Sequence, residues 1–122
     1  MKFHLQTAAA NVIAAIGADW IRIGETEYRQ NLVVTPDAVA PGWAPAGFAA
    51  LTEQDYAALL AHDPELVLLG TGAFQRFPHP KLLQALAKAR VGVEVMDTHA
   101  ACRTFNILIA EDRRVVAALI IG

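Results

Sequence analysis

The sequence predicts an α/β fold in which a mostly parallel central sheet is flanked by helices and carries an added β-hairpin. Two short apolar runs, Leu66 to Leu69 and Val91 to Met96, each lead into a loop, and a helix-like segment opened by Pro80 separates them. Upstream, the turn signal Gly17-Ala18-Asp19 joins two strand-like segments. Right-handed crossovers would place both loops at one edge of the sheet, where ligands usually bind.

The first half of the chain is predicted to be mainly extended. Residues 11–16 and 20–23 form the hairpin, and residues 28–34 form a further strand that ends at Thr35-Pro36-Asp37. Residues 37–51 contain two prolines and two glycines around Trp43 and Phe48. We therefore expect an ordered loop without regular structure, which these two aromatic side chains anchor to the body of the protein.

The second half alternates helices and strands. A helix is predicted near 52–61 with Thr52 as N-cap, then a buried strand at 65–70, a helix at 80–89 and a strand at 91–96. Thr98 is the expected N-cap of a last helix that runs to about residue 111. Residues 115–121 form a final strand, and its short connection favours an antiparallel orientation. Strands 28–34, 65–70 and 91–96 are expected to be parallel neighbours.

Length and composition predict a single domain over residues 1–122, with 55% hydrophobic residues to form its core. A net charge of −2 and a pI near 6.0 argue against a nucleic-acid partner. The apolar run at 115–121 is too short for a transmembrane segment. Met1 to Ala10 lack the features of a secretory signal, and a single cysteine suits a reducing compartment, so the predicted location is cytoplasmic.

The two loops at the expected sheet edge carry the residues of a candidate pocket. Its members are Gly70, Thr71, Gly72, Arg76, Asp97, Thr98, His99, Cys102, Arg103 and Asn106. The favoured explanation of the glycines is a tight strand exit or close backbone packing, and that of Asp97 and Thr98 is helix capping. The alternative is an anion pocket, in which free N–H groups of the helix act together with His99, Arg103 and Arg76. The Gly-Thr-Gly turn lacks the third glycine of a dinucleotide site and the lysine of a P-loop, so no nucleotide cofactor is predicted.

Three other residue choices leave alternatives open. The helix dipole and Arg103 could activate the Cys102 thiol, but a small cysteine between alanines is usually core, and we expect it to be buried and dispensable. Arg103 and Asn106 share a helix face and either bind a ligand or hold the loop at 37–51. Trp43 is either a packing anchor or, if exposed, part of a partner surface. No catalytic residue and no metal site are predicted, because His99 and Cys102 are too few ligands for zinc.

Longer motifs resemble a known family. The runs Leu69 to Gly72, Met96 to Leu108 and Glu111 to Ile120, together with Leu32 to Pro36 and Trp43, are similar to a small family of unknown function, domain of unknown function 498. This family includes a mitochondrial NADH dehydrogenase (complex I) assembly factor and an adipogenesis-associated domain protein. The resemblance covers nearly the whole chain and suits a bacterial single-domain member. It implies a three-layer α/β fold with a central mixed sheet, helices on its faces and an added hairpin, and it implies no established enzymatic activity.

The leading hypothesis is a non-catalytic protein-binding or assembly-factor-like module whose partner is a protein not identified by the sequence, with homo-oligomers left open. The alternative is a binder of small anions, or an enzyme, that uses the pocket formed by loops 70–79 and 96–103. Replacing Arg76 and Arg103 with alanine would weaken the binding of an anionic ligand, whereas Trp43→Ala would reduce capture of a protein partner.

Overall fold

The computed structural model describes residues 10–121, which form two β-sheets and three α-helices. Residues 1–9 and 122 lie outside this range. The expectation about a secretory signal concerns residues 1–10 and therefore falls almost entirely outside the described part of the chain.

A small antiparallel sheet comes first in the chain. It consists of β1 (Ile13–Ile16), β2 (Ile21–Ile23) and β3 (Thr26–Tyr28) in that order. The predicted hairpin is confirmed, and the indole ring of Trp20 packs directly over Gly17, so that a Cβ at this position would force the ring to move. The prediction of one strand over 28–34 was wrong, because β3 belongs to this sheet and the chain then crosses to the larger sheet.

The helices lie close to where the sequence predicts them. They are α1 (Glu53–Ala57), which continues as a 3₁₀ turn at Ala58–His62, α2 (Gln84–Lys88), which follows a 3₁₀ turn at Pro80–Leu83, and α3 (Thr98–Ala110). Thr52 is confirmed as the N-cap of α1, and it forms a capping box with Asp55, whose carboxylate accepts from the Thr52 N–H at 2.8 Å. Local signals of this kind act within a few residues and were therefore readable from the sequence.

The larger sheet contains β4 (Leu32–Val34), β5 (Val39–Pro41), β6 (Leu66–Gly70), β7 (Gly92–Met96) and β8 (Val115–Leu119) in the order β5-β4-β8-β6-β7. The predicted parallel pairing of β6 with β7 is confirmed. β8 also pairs in parallel with β6, whereas β4 is antiparallel to both β5 and β8. The sheet is therefore mixed, as expected, but only half of these pairings are parallel.

The position of β8 explains the failed strand predictions. Because α3 carries the chain back across the sheet, β8 starts at the same end of the sheet as β6. The expected antiparallel orientation of β8 is therefore correct relative to β4 and wrong relative to β6. All five residues of β8 are buried, and the strand occupies the centre between β4 and β6. β4 and β6 are therefore not neighbours, contrary to the prediction.

Alternate residues of the larger sheet face two separate apolar clusters. One cluster joins Leu68 and Leu119 to Phe105 of α3 and Ile21 of the small sheet. The other joins Leu69 to Tyr56 of α1 and Leu86 of α2. Helices on both faces are thus confirmed, but α3 shares its layer with the small sheet.

Residues 37–51 differ from the expected irregular loop. They contain strand β5 and a 3₁₀ turn at Phe48–Ala50. The expectation that Trp43 and Phe48 anchor this segment is confirmed, since both pack against the second cluster.

Candidate functional site

The carboxyl end of β6 meets the start of α3 at Gly70. A Cβ atom at this position would lie 3.1 Å from both Cα and Oγ1 of Thr98 and 3.0 Å from Cδ2 of Leu119. Such distances leave no room for a side chain in a packed interior. The glycine therefore lets the first turn of α3 approach the strand closely, which is the packing interpretation of the Gly-Thr-Gly turn.

The buried hydroxyl of Thr98 connects three segments at this edge. Its Oγ1 accepts from the Gly72 N–H at 2.8 Å and donates to the Ile120 carbonyl at 2.6 Å, while the Thr98 N–H donates to the Gly72 carbonyl at 2.9 Å. Thr98 is not the N-cap that the sequence suggested. Asp97 has that role, because its carboxylate accepts from the Ala100 N–H at 2.9 Å and leaves the Thr98 hydroxyl for the tertiary contacts.

The loop after β6 is organised around Thr71 and Arg76. The Thr71 hydroxyl donates to the Phe74 carbonyl at 2.6 Å and accepts from the Arg76 N–H at 3.0 Å. The Arg76 guanidinium donates twice to the Thr71 carbonyl, at 3.1 and 2.6 Å, and its Cζ lies 4.5 Å from the centre of the Phe48 ring. The structure therefore places Arg76 in the framework of the loop.

A mainly apolar cavity of about 320 Å³ opens between the small sheet and the start of α3. It is lined by Ile16, Gly17, Ala18, Ile21, Gly72, Ala73, Thr98, His99 and Ile121. Of the ten candidate pocket residues, three line this cavity: Gly72, Thr98 and His99. The remaining seven, Gly70, Thr71, Arg76, Asp97, Cys102, Arg103 and Asn106, do not. The hairpin wall was missed because the sequence does not indicate which face of the small sheet packs beside α3.

Cys102 is buried in the cluster beneath α3. Burial raises the pKa of its thiol to about 12 and outweighs the positive charge of Arg103, which acts in the opposite direction. The expectation of a buried cysteine is confirmed, and this burial disfavours the alternative of an activated thiolate.

We expect Cys102 in the folded protein to react slowly with a thiol reagent at neutral pH, because little thiolate forms and the sulfur is covered. The measurement is the labelling rate in buffer against the rate in a denaturing concentration of urea. Cys102→Ser should fold with a free energy of unfolding lower by about 1–2 kcal/mol, since it places a hydroxyl in an apolar site. Equal labelling rates in the two solutions would contradict the buried position.

Asn106 lies beside the small sheet. Its Oδ1 accepts from the Ile13 N–H and its Nδ2 donates to the Ile13 carbonyl, both at 2.9 Å. The hypothesis that Asn106 holds the loop at 37–51 was wrong, because the helix turns this side chain toward β1. Asn31 contacts that segment instead, donating from Nδ2 to the Ala44 carbonyl at 2.8 Å. Arg103 is exposed one helical turn beyond His99.

The exposed aromatic side chains are not the one that the sequence suggested for a partner surface. Trp43 is half-buried, its ring meets Tyr56 edge-on at 6.2 Å, and its Nε1 donates to the Asp55 carbonyl at 3.5 Å. Phe74 and Phe77, which are not among the residues predicted from the sequence, are 77% and 71% exposed. Two phenylalanines within a segment that has no helix or strand periodicity were the available signal.

Within residues 10–121, no group of three His, Cys, Asp or Glu side chains lies close enough together to hold a metal ion. None of the helices in this same range has the length and apolar character needed to cross a bilayer.

Residues 13–120 match the family described as "Protein of unknown function (DUF498/DUF598)". NADH dehydrogenase [ubiquinone] 1 alpha subcomplex assembly factor 3 from Mus musculus is 38% identical over 90 residues, which are 72% of this chain and 48% of that protein. The chain spans about half the length of the curated relatives it matches.

Solved bacterial structures have the same fold. A crystal structure of a Bordetella parapertussis protein is 36% identical with a TM-score of 0.85, and the match covers 94% of this chain and 98% of that chain. A Mth938-like domain from Bordetella pertussis is 34% identical with a TM-score of 0.79, over 99% of this chain and 92% of that chain.

Proposed function

Because the chain belongs to the DUF498/DUF598 family of proteins of unknown function, we propose that it acts as a non-catalytic protein-binding module of the assembly-factor type. The assembly-factor relative supports this proposal, since such a factor acts through contact with other proteins. The cytoplasmic location and the unidentified protein partner expected from the sequence form part of the same proposal.

The observation that carries the proposal is the exposed pair Phe74 and Phe77. Aromatic side chains dominate the binding energy of many protein interfaces, and a folded chain rarely leaves two of them this exposed within four residues without a use. Their loop is held by Thr71 and Arg76 through the hydrogen bonds described above. A preorganised loop loses little conformational entropy on binding, which favours recognition.

We expect the double variant Phe74→Ser with Phe77→Ser to lose its protein partners. Each truncation at an interface anchor typically costs about 2 kcal/mol or more, so capture should fall well over tenfold. The measurement is affinity purification from the source cell followed by quantitative mass spectrometry. Ile107→Ser is the matched control, because it removes an apolar side chain that is 59% exposed on α3.

The control should retain the partners seen with the unchanged protein. Failure of the unchanged protein to capture any protein reproducibly would overturn the proposed function. Equal loss with Ile107→Ser would instead indicate non-specific apolar adsorption, which also removes the support from the phenylalanine pair.

The cavity beside α3 favours a second candidate function, the binding of a small ligand with an apolar body and an anionic group. Its volume of about 320 Å³ is at the lower end of the range for ligand pockets. His99 and Thr98 lie at the N-terminal end of a helix of 13 residues, whose dipole favours negative charge. Arg103 follows on the same helix but does not line the cavity, and Arg76 already has partners in its loop.

Thermal unfolding with panels of small carboxylates and phosphates tests this candidate. A true ligand at about 100 times its dissociation constant should add about 2.7 kcal/mol of stability. His99→Ala should reduce the shift, because His99 lines the cavity and a hydrogen bond to a charged group contributes about 1.5–3 kcal/mol. Lys88→Ala, which removes a cation on α2, should not reduce it. The absence of a shift with every compound, or an equal shift in both variants, would count against this candidate.

A further inference from the structure

Strand β7 forms an open edge of the larger sheet, because among residues 10–121 only β6 pairs with it. In a parallel pair, alternate residues direct their main-chain groups toward the neighbour and away from it. Gln75 donates from Nε2 to the Val95 carbonyl at 2.9 Å, so Val95 and, two residues earlier, Val93 face away from β6. The N–H groups of Val93 and Val95 and the carbonyl of Val93 are therefore directed to the open side.

The same Gln75 contact places the phenylalanine pair at this edge. Phe74 and Phe77 are one and two residues from Gln75 along the chain, and both are exposed. The loop therefore adds two large apolar side chains beside a row of main-chain donors and acceptors. Strand addition uses this combination, with main-chain hydrogen bonds for affinity and side-chain contacts for specificity.

The charges around β7 indicate what kind of segment would bind. The chain from Leu66 to Val93 contains none of the twelve Asp and Glu residues of the protein. It contains four basic residues, Arg76, Lys81, Lys88 and Arg90, and all are exposed. Glu94 is in register with Leu68, so its side chain lies on the face of the sheet that carries α3. The side chains of Val93 and Val95 lie on the opposite face.

We propose that the open edge of β7 binds an extended, acidic segment of another protein by strand addition, with Phe74 and Phe77 contacting its apolar side chains. The inference rests on the proposed protein-binding function and adds the binding mode and the chemistry of the partner. A second copy of this chain fits less well, because antiparallel pairing of two β7 strands in the register centred on Glu94 would place the two Glu94 side chains opposite each other. Acidic side chains on the added strand would instead complement Arg76 and Arg90 and add steering.

A short synthetic peptide that alternates valine with glutamate is the direct probe. With the full chain labelled for NMR, its addition should shift the amide signals of Val93 and Val95 and slow their hydrogen exchange. Two matched peptides should bind at least about tenfold more weakly. One has lysine in place of glutamate, and the other has N-methyl groups on the amides that would join β7.

Protein variants test the same surface from the other side. Two double variants should each weaken binding of the acidic peptide by about tenfold or more: Phe74→Ser with Phe77→Ser, and Lys81→Glu with Lys88→Glu. Ile107→Ser should leave binding of this peptide unchanged. No binding of the acidic peptide, equal binding of the N-methylated peptide, or shifts centred elsewhere would overturn the inference. Self-association that broadens the Val93 signal as protein concentration rises would overturn it in favour of a second copy.

These outcomes separate the inference from the proposed function. If cellular partners are captured through the phenylalanine pair but the peptides fail, the protein is a binding module that does not use strand addition. If no cellular partner is captured, the proposed function fails, and the β7 inference fails with it.

Discussion

Replacing Thr98 with valine is expected to lower the free energy of unfolding by about 2–4 kcal/mol, although the two side chains have nearly the same shape. The hydroxyl joins the Gly72 N–H to the Ile120 carbonyl at 2.8 and 2.6 Å in a buried position. Valine would leave both main-chain groups without this partner, and each buried group left unpaired costs about 1–3 kcal/mol. Urea denaturation with a common slope for both proteins measures the difference.

Thr98→Ser is the matched control, because serine keeps the hydroxyl and loses only the methyl group. Its expected loss is about 1 kcal/mol, the value for one buried methyl group. A valine variant that is as stable as the serine variant, or more stable, would show that the hydroxyl bridge contributes no more than one buried methyl group. The valine variant should also disturb the cavity, since Gly72 and Thr98 both line it.

Asn106→Ala is expected to cost about 2–3 kcal/mol and to loosen the small sheet before the rest of the protein unfolds. The Asn106 amide forms two 2.9 Å hydrogen bonds with the main chain of Ile13, 93 residues away in sequence. Native-state hydrogen exchange should show faster exchange in β1 and β2, with β6 and β8 less affected. Uniform acceleration over the whole protein would indicate that the small sheet does not unfold as a separate unit.

Asn106→Asp tests which of the two hydrogen bonds matters. The introduced carboxylate can accept from the Ile13 N–H, but it repels the Ile13 carbonyl, to which only its protonated form can donate. Folding should therefore raise the pKa of this group. The variant should be closest to wild-type stability below the pKa of an unfolded aspartic acid, about 3.9, and lose that advantage as pH rises through the raised folded pKa. A constant difference from wild type across pH 3–7 would contradict this account.

Asn106→Ala also tests the second candidate function, the binding of a small ligand in the cavity beside α3. The cavity has Ile16, Gly17 and Ala18 of the hairpin as one wall and Thr98 and His99 as another. Loosening the small sheet should therefore weaken the binding of any ligand in this cavity, while leaving the phenylalanine pair, which does not line the cavity, in place. A ligand unaffected by Asn106→Ala would have to bind elsewhere.

Several features of the site were not available from the sequence. Arg76 was expected to contribute charge to a pocket, but the nearby Thr71 carbonyl and Phe48 ring already occupy its guanidinium. Asn106 was expected near residues 37–51, but it contacts Ile13. In both cases the partner of the side chain depends on how distant segments pack.

What the sequence alone determined about this protein is local. The hairpin turn at Gly17, the capping box of Thr52 and Asp55, and the parallel pairing of β6 with β7 follow from signals within one turn or one strand-helix-strand unit. The tertiary structure alone decided that β8 lies between β4 and β6, which halves the parallel character of the sheet and makes β7 its open edge. The physical reason is that strand order depends on contacts between segments far apart in the chain, whose free energy of burial leaves no periodic signal in either segment.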